Sequence, residues 1–196
     1  MHHGKIIIIT APSGAGKTSI VKYLLQHYAG QLAFSISAAT RKARNNEQHG
    51  VDYYFISTEE FQQKIVEEAF IEWEMVYENK YYGTLKSEME RIWNENKIPV
   101  LDIDVKGALH VQGQFPDSSL SIFIMPPSQE ELRRRLESRG TETPESLQAR
   151  INKAAYEMTF SGQFNAVVVN DVLANACQEA EQLVEKFINS ENGQNH

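Results

Sequence analysis

The sequence predicts an α/β protein, with a parallel sheet flanked by helices, a small inserted lobe and a helical lid. Three observations lead there. Short runs of β-branched residues stand between turn residues, helical periodicities follow those runs, and from 37 to 84 the pattern changes to aromatic, alternating segments. Strands that alternate with helices imply crossover connections, and crossovers make neighbouring strands parallel.

The first strand is expected over residues 5–10, an Ile-rich run between Gly4 and Ala11-Pro12-Ser13-Gly14. Such a run, apolar on both faces, suits a central parallel strand. From Thr18 onward Ile20, Val21, Leu24 and Leu25 recur at helical spacing. The same alternation returns as a strand over 98–103 with a helix to about 113, a strand over 120–125 with a helix over 129–138, and a strand over 166–169 with a helix over 173–188. Between 37 and 84 the segments 52–56, 70–77 and 81–82, with a short helix among them, predict a small and partly antiparallel sheet. Its aromatic stripe, Trp73 included, is expected to form that lobe's core. The lobe would sit over the carboxyl edge of the parallel sheet, where ligands of such sheets bind. Residues 139–145 are a polar break between two helices and suggest a lid. The expected division is a core of 1–36, 85–134 and 151–196, a lobe of 37–84 and a lid of 135–150.

Composition narrows the functional classes. The chain has 196 residues, 41% hydrophobic and 23% charged, enough for one sizeable core. No run approaches the roughly 18 to 20 apolar residues of a membrane span. The N-terminus lacks a secretory pattern and Cys177 has no cysteine to pair with, so a cytoplasmic setting is expected. A net charge of −7 argues against coating a nucleic-acid polymer, because phosphate-backbone binders carry a basic surplus. His2, His3, His27, His49, His110 and His196 show no metal-ligand spacing and are given no role.

Ala11-Pro12-Ser13-Gly14-Ala15-Gly16-Lys17-Thr18 lies directly after the first strand and directly before the first helix. Successive backbone N–H groups of such a loop wrap an anion, the helix N-terminus adds its dipole, and Lys17 and Thr18 supply a cation and a metal-ligand hydroxyl. The pattern resembles the P-loop of nucleoside-triphosphate-binding proteins, which implies a nucleoside triphosphate and Mg²⁺. Ala11 stands where the first Gly is expected. At a negative φ this costs nothing, and at a positive φ it costs about 1 kcal/mol or more. At the end of the 98–103 strand stand Asp102 and Asp104, two residues apart and so expected on one side. Asp102 suits Mg²⁺ together with Thr18, and Asp104 is left either to meet a second ligand or to cap the next helix.

The acceptor must come from the inserted segment. Arg41 and Arg44 are guanidinium forks able to hold phosphate, and Tyr53 and Tyr82 add hydroxyl donors; the bland alternative is a solvated basic turn. The stretch from Ser37 through Thr40-Arg41, Arg44, Glu47, Gly50 and Asp52-Tyr53-Tyr54-Phe55 is similar to the nucleoside-monophosphate segment of guanylate kinases. Further matches are Phe70-Ile71-Glu72-Trp73, Tyr81-Tyr82-Gly83-Thr84, Leu101-Asp102-Ile103-Asp104-Val105-Lys106-Gly107 and Arg139-Gly140-Thr141-Glu142, so the resemblance spans about residues 5 to 171.

The resemblance implies transfer of the γ-phosphoryl of ATP to GMP, and conceivably dGMP, with Mg²⁺. It implies that Arg41, Arg44, Tyr53 and Tyr82 hold the GMP phosphate and that Ser37, Glu72, Thr84 and Asp104 surround guanine. Lys17, Arg41, Arg135, Arg139 and Arg150 would be the cations of the transfer, and Asn170 would lie near adenine, unless it is simply a turn residue. Catalysis would be positioning plus electrostatics, without a side-chain nucleophile. Two rival readings are a non-catalytic domain of the same fold that binds phosphorylated peptides, and another nucleoside-monophosphate kinase. No partner beyond the small-molecule substrates is implied, and oligomeric state is not legible.

Overall fold

The computed structural model describes residues 4–77, 79–138 and 143–190. The larger sheet has the order β2 (Leu32–Phe34), β7 (Ile98–Asp102), β1 (Ile6–Thr10), β8 (Ser119–Met125), β9 (Ala166–Val169), and every pairing in it is parallel. All five residues of β1 are buried. Alternate side chains of a strand point to opposite faces, and both faces here are covered. Ile7 and Ile9 pack with Ile20 and Leu24 of α1 (Lys17–His27) and with Ala180 and Val184 of α7 (Leu173–Asn189). Ile6 and Ile8 pack with Met89 of α3 (Lys86–Asn94) and with Ala108 and Val111 of α4 (Val105–Gln114). Two-sided burial is why the strand reads as an unbroken isoleucine run rather than an alternation.

The expected strands and helices of this layer are present. Two elements were not foreseen: β2, whose three residues are too short for a periodicity, and α3, which starts at the residue after a strand with no turn signal between them.

The inserted segment forms a second sheet, in the order β4 (Tyr54–Phe55), β3 (Ala38–Ala39), β6 (Lys80–Leu85), β5 (Phe70–Tyr77). β3 and β4 pair in parallel and the other pairings are antiparallel, so the sheet is partly antiparallel as expected. Its helix α2 (Thr58–Val66) is capped by Ser57, whose Oγ accepts the Glu60 N–H. Phe61 of α2 is the centre of the small core, stacked on Phe70 at 4.3 Å and on Tyr81 at 5.3 Å. Trp73 corrects an expectation: it is 44% exposed, outside that core. β5 carries a register irregularity between Phe70 and Glu72, beyond which Glu72 is buried and Trp73 is turned out.

Buried Glu88 of α3 ties the two sheets together. It accepts the Ile36 N–H at 3.0 Å, the Tyr54 O–H at 2.9 Å and the Arg91 guanidinium. Over the other end of the cleft, α5 (Gln129–Glu137) and α6 (Pro144–Met158) pack through Leu132, Leu136, Ile151 and Ala154. Both helices run beyond the 135–150 span read as a lid.

Candidate functional site

The end of β1 and the end of β7 lie side by side, Ile9 opposite Asp102, so the loop after β1 and the acids after β7 meet at one edge of the sheet. Of that loop, Gly14 and Gly16 have φ of 92° and 94°, a region that L side chains avoid, whereas Ala11 is not among the positive-φ residues described. Alanine in place of the first glycine is therefore unstrained. A Cβ on Gly14 would lie 3.0 Å from methyl groups of Leu132 and Leu136, so α5 packs directly on the loop. No side chain caps α1; the Ser19 N–H donates to the Gly16 carbonyl at 3.1 Å, and the N–H groups of Lys17 and Thr18 at the helix start are the ones placed to meet an anion.

Lys17 crosses the loop, forming an ion pair with Asp102 Oδ1 and donating to the Ile103 carbonyl at 3.2 Å. With Thr18 nearby in the lining, the oxygens of Thr18 and Asp102 form a hard, sparse donor set. Among the described residues no group of three or more His, Cys, Asp or Glu converges on a metal position. One carboxylate and one hydroxyl could hold Mg²⁺, which is bound by one or two carboxylates together with substrate phosphates rather than by an all-protein cage.

Asp104 takes the capping role left open for it. β7 ends at Asp102, and Asp104 is the N-cap of α4, accepting the Gly107 N–H at 2.8 Å. It still lines the cleft, because the cap sets it beside Glu72. A Cβ on Gly107 would meet Glu72 Oε2 at 2.8 Å and Asp104 Oδ1 at 3.3 Å, so both carboxylates close over this glycine. Glu72 is 7% exposed and accepts the Thr84 hydroxyl at 2.7 Å. Burial, reinforced by the neighbouring Asp104 charge and partly offset by the Thr84 bond, pushes its pKa up to about 7.

A cleft of about 460 Å³ joins these parts, lined by Ala11 to Gly14 and Gly16 to Thr18 on one side and by Ser37, Tyr53, Glu72 and Tyr82 on the other, with Asp102 and Asp104 between. Arg150 of α6 also lines it and donates to Ser13 Oγ at 3.1 Å. Arg41 donates through Nε to Tyr82 Oη at 3.1 Å, and its guanidinium lies 4.9 Å over the Tyr53 ring. Arg44 is exposed beside it.

Other expected residues support the cleft from behind. Ala15 and Thr84 are fully buried. Buried Asn170 donates through Nδ2 to the Ala15 carbonyl at 2.7 Å, in the space that a Cβ on Gly16 would need. Arg135 is held by Glu131 at 2.8 Å and donates to the Asn170 carbonyl at 3.0 Å. Arg139 lies outside the described residues.

Among residues in or near the cleft, Glu157, Lys153 and Glu47 were given no role from the sequence. Glu157 and Lys153 line it from α6, an ion pair at 3.6 Å, but their i, i+4 spacing is that of an ordinary solvated helix pair. Glu47 stands within the quoted segment and forms an ion pair with Arg41.

The family model of guanylate kinase matches residues 3–187. The chain belongs to the guanylate kinase family. It is 47% identical to the guanylate kinase of Bacteroides thetaiotaomicron over 188 residues, covering 96% of this chain and 92% of that protein. With the guanylate kinase of Porphyromonas gingivalis it shares 46% over 184 residues, covering 94% and 98%. The crystal structure of guanylate kinase from Anaplasma phagocytophilum matches with a TM-score of 0.75 at 28% identity, over 97% of this chain and 89% of that one. Guanylate kinase membership bears out the α/β fold with a phosphate loop. Among the described residues no helix is long and apolar enough to cross a membrane.

Proposed function

We propose that this guanylate kinase family member transfers the γ-phosphoryl of ATP to GMP, giving ADP and GDP. The observation that carries this reading is one cleft bounded by a phosphate loop on one side and by a buried carboxylate, Glu72, on the other, so that a triphosphate seat and a base seat share one space. The loop of 11–18 takes the ATP phosphates through its N–H groups and Lys17. Arg44, Arg41, Tyr53 and Tyr82 receive the GMP phosphate, and Ser37, Thr84, Glu72 and Asp104 surround guanine. Ionised Glu72 offers two acceptors to the adjacent N1–H and N2–H₂ donors of guanine, whereas adenine presents a lone pair and no amino group there.

In the reaction a GMP phosphate oxygen attacks the γ-phosphorus in line; that P–O bond forms as the bond to the β-phosphate oxygen breaks, and ADP leaves with the electron pair. Lys17, Arg150, Arg135 and Arg139 are the cations that meet the charge on the transferring oxygens. Thr18 and Asp102 would hold Mg²⁺, which would further neutralise the ATP phosphates. Asn170 anchors the loop through Ala15, with adenine as its neighbour. No base is required, because the attacking phosphate is already an anion. We place the reaction in the cytoplasm on the strength of the single, unpaired Cys177.

ADP production measured with GMP, dGMP, AMP, CMP, UMP and dTMP tests the reading, and use of a base other than guanine at comparable kcat/KM would refute it. In the same assay Lys17→Ala lowers turnover by about 10² or more while leaving the fold intact. Near-normal turnover in that variant would exclude the phosphate-loop assignment.

A further inference from the structure

Glu47 sits at the centre of the arginine pair. Its carboxylate takes Arg41 bidentately, Nη1 to Oε2 at 2.5 Å and Nη2 to Oε1 at 2.7 Å, and Oε2 also accepts the Arg44 N–H at 2.9 Å. The Glu47 N–H in turn donates to the Arg44 carbonyl at 3.0 Å. These reciprocal bonds close 44–47 into a ring, so the carboxylate is held by its own backbone as well as by the guanidinium. Both side chains are mostly shielded, 14% exposed for Arg41 and 17% for Glu47.

A guanidinium has five N–H donors. Arg41 commits two to Glu47, one to Tyr82 Oη and one to the Lys42 carbonyl at 3.1 Å, which leaves one. As it stands, Arg41 has too few donors left for a bidentate phosphate. Displacing Glu47 to free them would strip a shielded carboxylate of three charge-assisted or backbone bonds. Tyr82, by accepting from Arg41, has its own proton left to donate, next to the Tyr53 ring at 6.1 Å. Arg44 spends its backbone N–H on Glu47, and among the described residues its exposed guanidinium faces no such clamp.

We propose that Glu47 is a positioning residue: it holds Arg41 as a charge-compensated strut that orients Tyr82 and Tyr53, so that Arg41 brings its one remaining N–H to the acceptor phosphate and the uncompensated charge there is that of Arg44. This rests on the reading of the small lobe as the GMP site. A carboxylate clamp of this kind fixes geometry and trims net positive charge, so the seat favours a phosphate that makes several directed bonds over one attracted by charge alone.

Steady-state kinetics with GMP and ATP varied separately test it, on Glu47→Gln, Arg41→Met, Arg44→Met and the Glu47→Gln/Arg41→Met double variant. Expected are a GMP KM raised about tenfold or more by Glu47→Gln with the ATP KM unchanged, a double variant within about twofold of Arg41→Met alone, and a larger rise for Arg44→Met than for Arg41→Met. A GMP KM that falls or stays put in Glu47→Gln would overturn the proposal, as would single effects that multiply in the double variant. If Glu47→Gln does not fold, Glu47→Asp keeps the charge and shortens the reach, and normal GMP kinetics in that variant overturn it too. If both arginine variants leave the GMP KM unchanged, the acceptor-site reading falls with it; if they raise it and Glu47→Gln does not, only the role of Glu47 falls.

Discussion

Glu72 sets activity against stability. The step from an ordinary carboxyl value of 4.5 to about 7 corresponds to about 3 kcal/mol. Because the folded pKa is raised above the unfolded one, folding favours the neutral acid. The contribution of Glu72 to stability is fully present below pH 4.5, is lost as pH rises towards 7, and stays absent above it. Glu72→Gln removes the ionisation while its amide oxygen can still accept from the Thr84 hydroxyl, so the variant should gain up to about 3 kcal/mol at pH 8 and nothing at pH 4.5. For a chain of this size that gain is a rise in Tm of about 6 to 12 °C. GMP, however, needs the ionised form, so wild-type kcat/KM for GMP should fall as pH drops below about 7, with the ATP KM unmoved. The GMP phosphate has a second pKa near 6 by analogy with phosphorylated side chains and adds its own acid limb. Glu72→Gln should keep that limb and lose the one near 7, at a much lower kcat/KM and with its preference over AMP relaxed. Urea or thermal unfolding at the two pH values and pH profiles of both proteins make the test. A variant no more stable than wild type at pH 8, or acid limbs that coincide, would refute the reasoning.

Other sites give independent checks. Gly107→Ala puts a methyl 2.8 Å from Glu72 Oε2 and should raise the GMP KM while the ATP KM holds, read by steady-state kinetics. Gly16→Ala combines φ of 94° with a Cβ 2.2 Å from Asn170 Nδ2, so the loop must shift. Its expected signature is weakened ATP binding by calorimetry, with the small lobe's GMP contacts intact.

The phosphate loop was legible because a strand, a glycine-containing turn and a helix follow one another in the chain, so the site is assembled by local geometry. The isoleucine run of β1 and the helical spacing of α1 likewise carry their periods on their faces. Glu72 came from family resemblance, and Arg41 from its chemistry together with that resemblance; their surroundings came from neither. Whether Ala11 strained the loop depended on a backbone angle, and whether Trp73 was core depended on an irregularity in β5. Asp104 had two readings, a second-ligand contact or a helix cap, and the fold makes it the cap of α4 while keeping it in the cleft. The clamp of Glu47 on Arg41, the approach of Gly107 to Glu72, the hold of Asn170 on Ala15 and the place of Glu157 in the cleft join residues or surfaces that no period links. Local propensity and spacing determine which segments become strands, helices and loops. Which side chains share a buried volume, and so lose water and shift their pKa, is decided only when those segments pack.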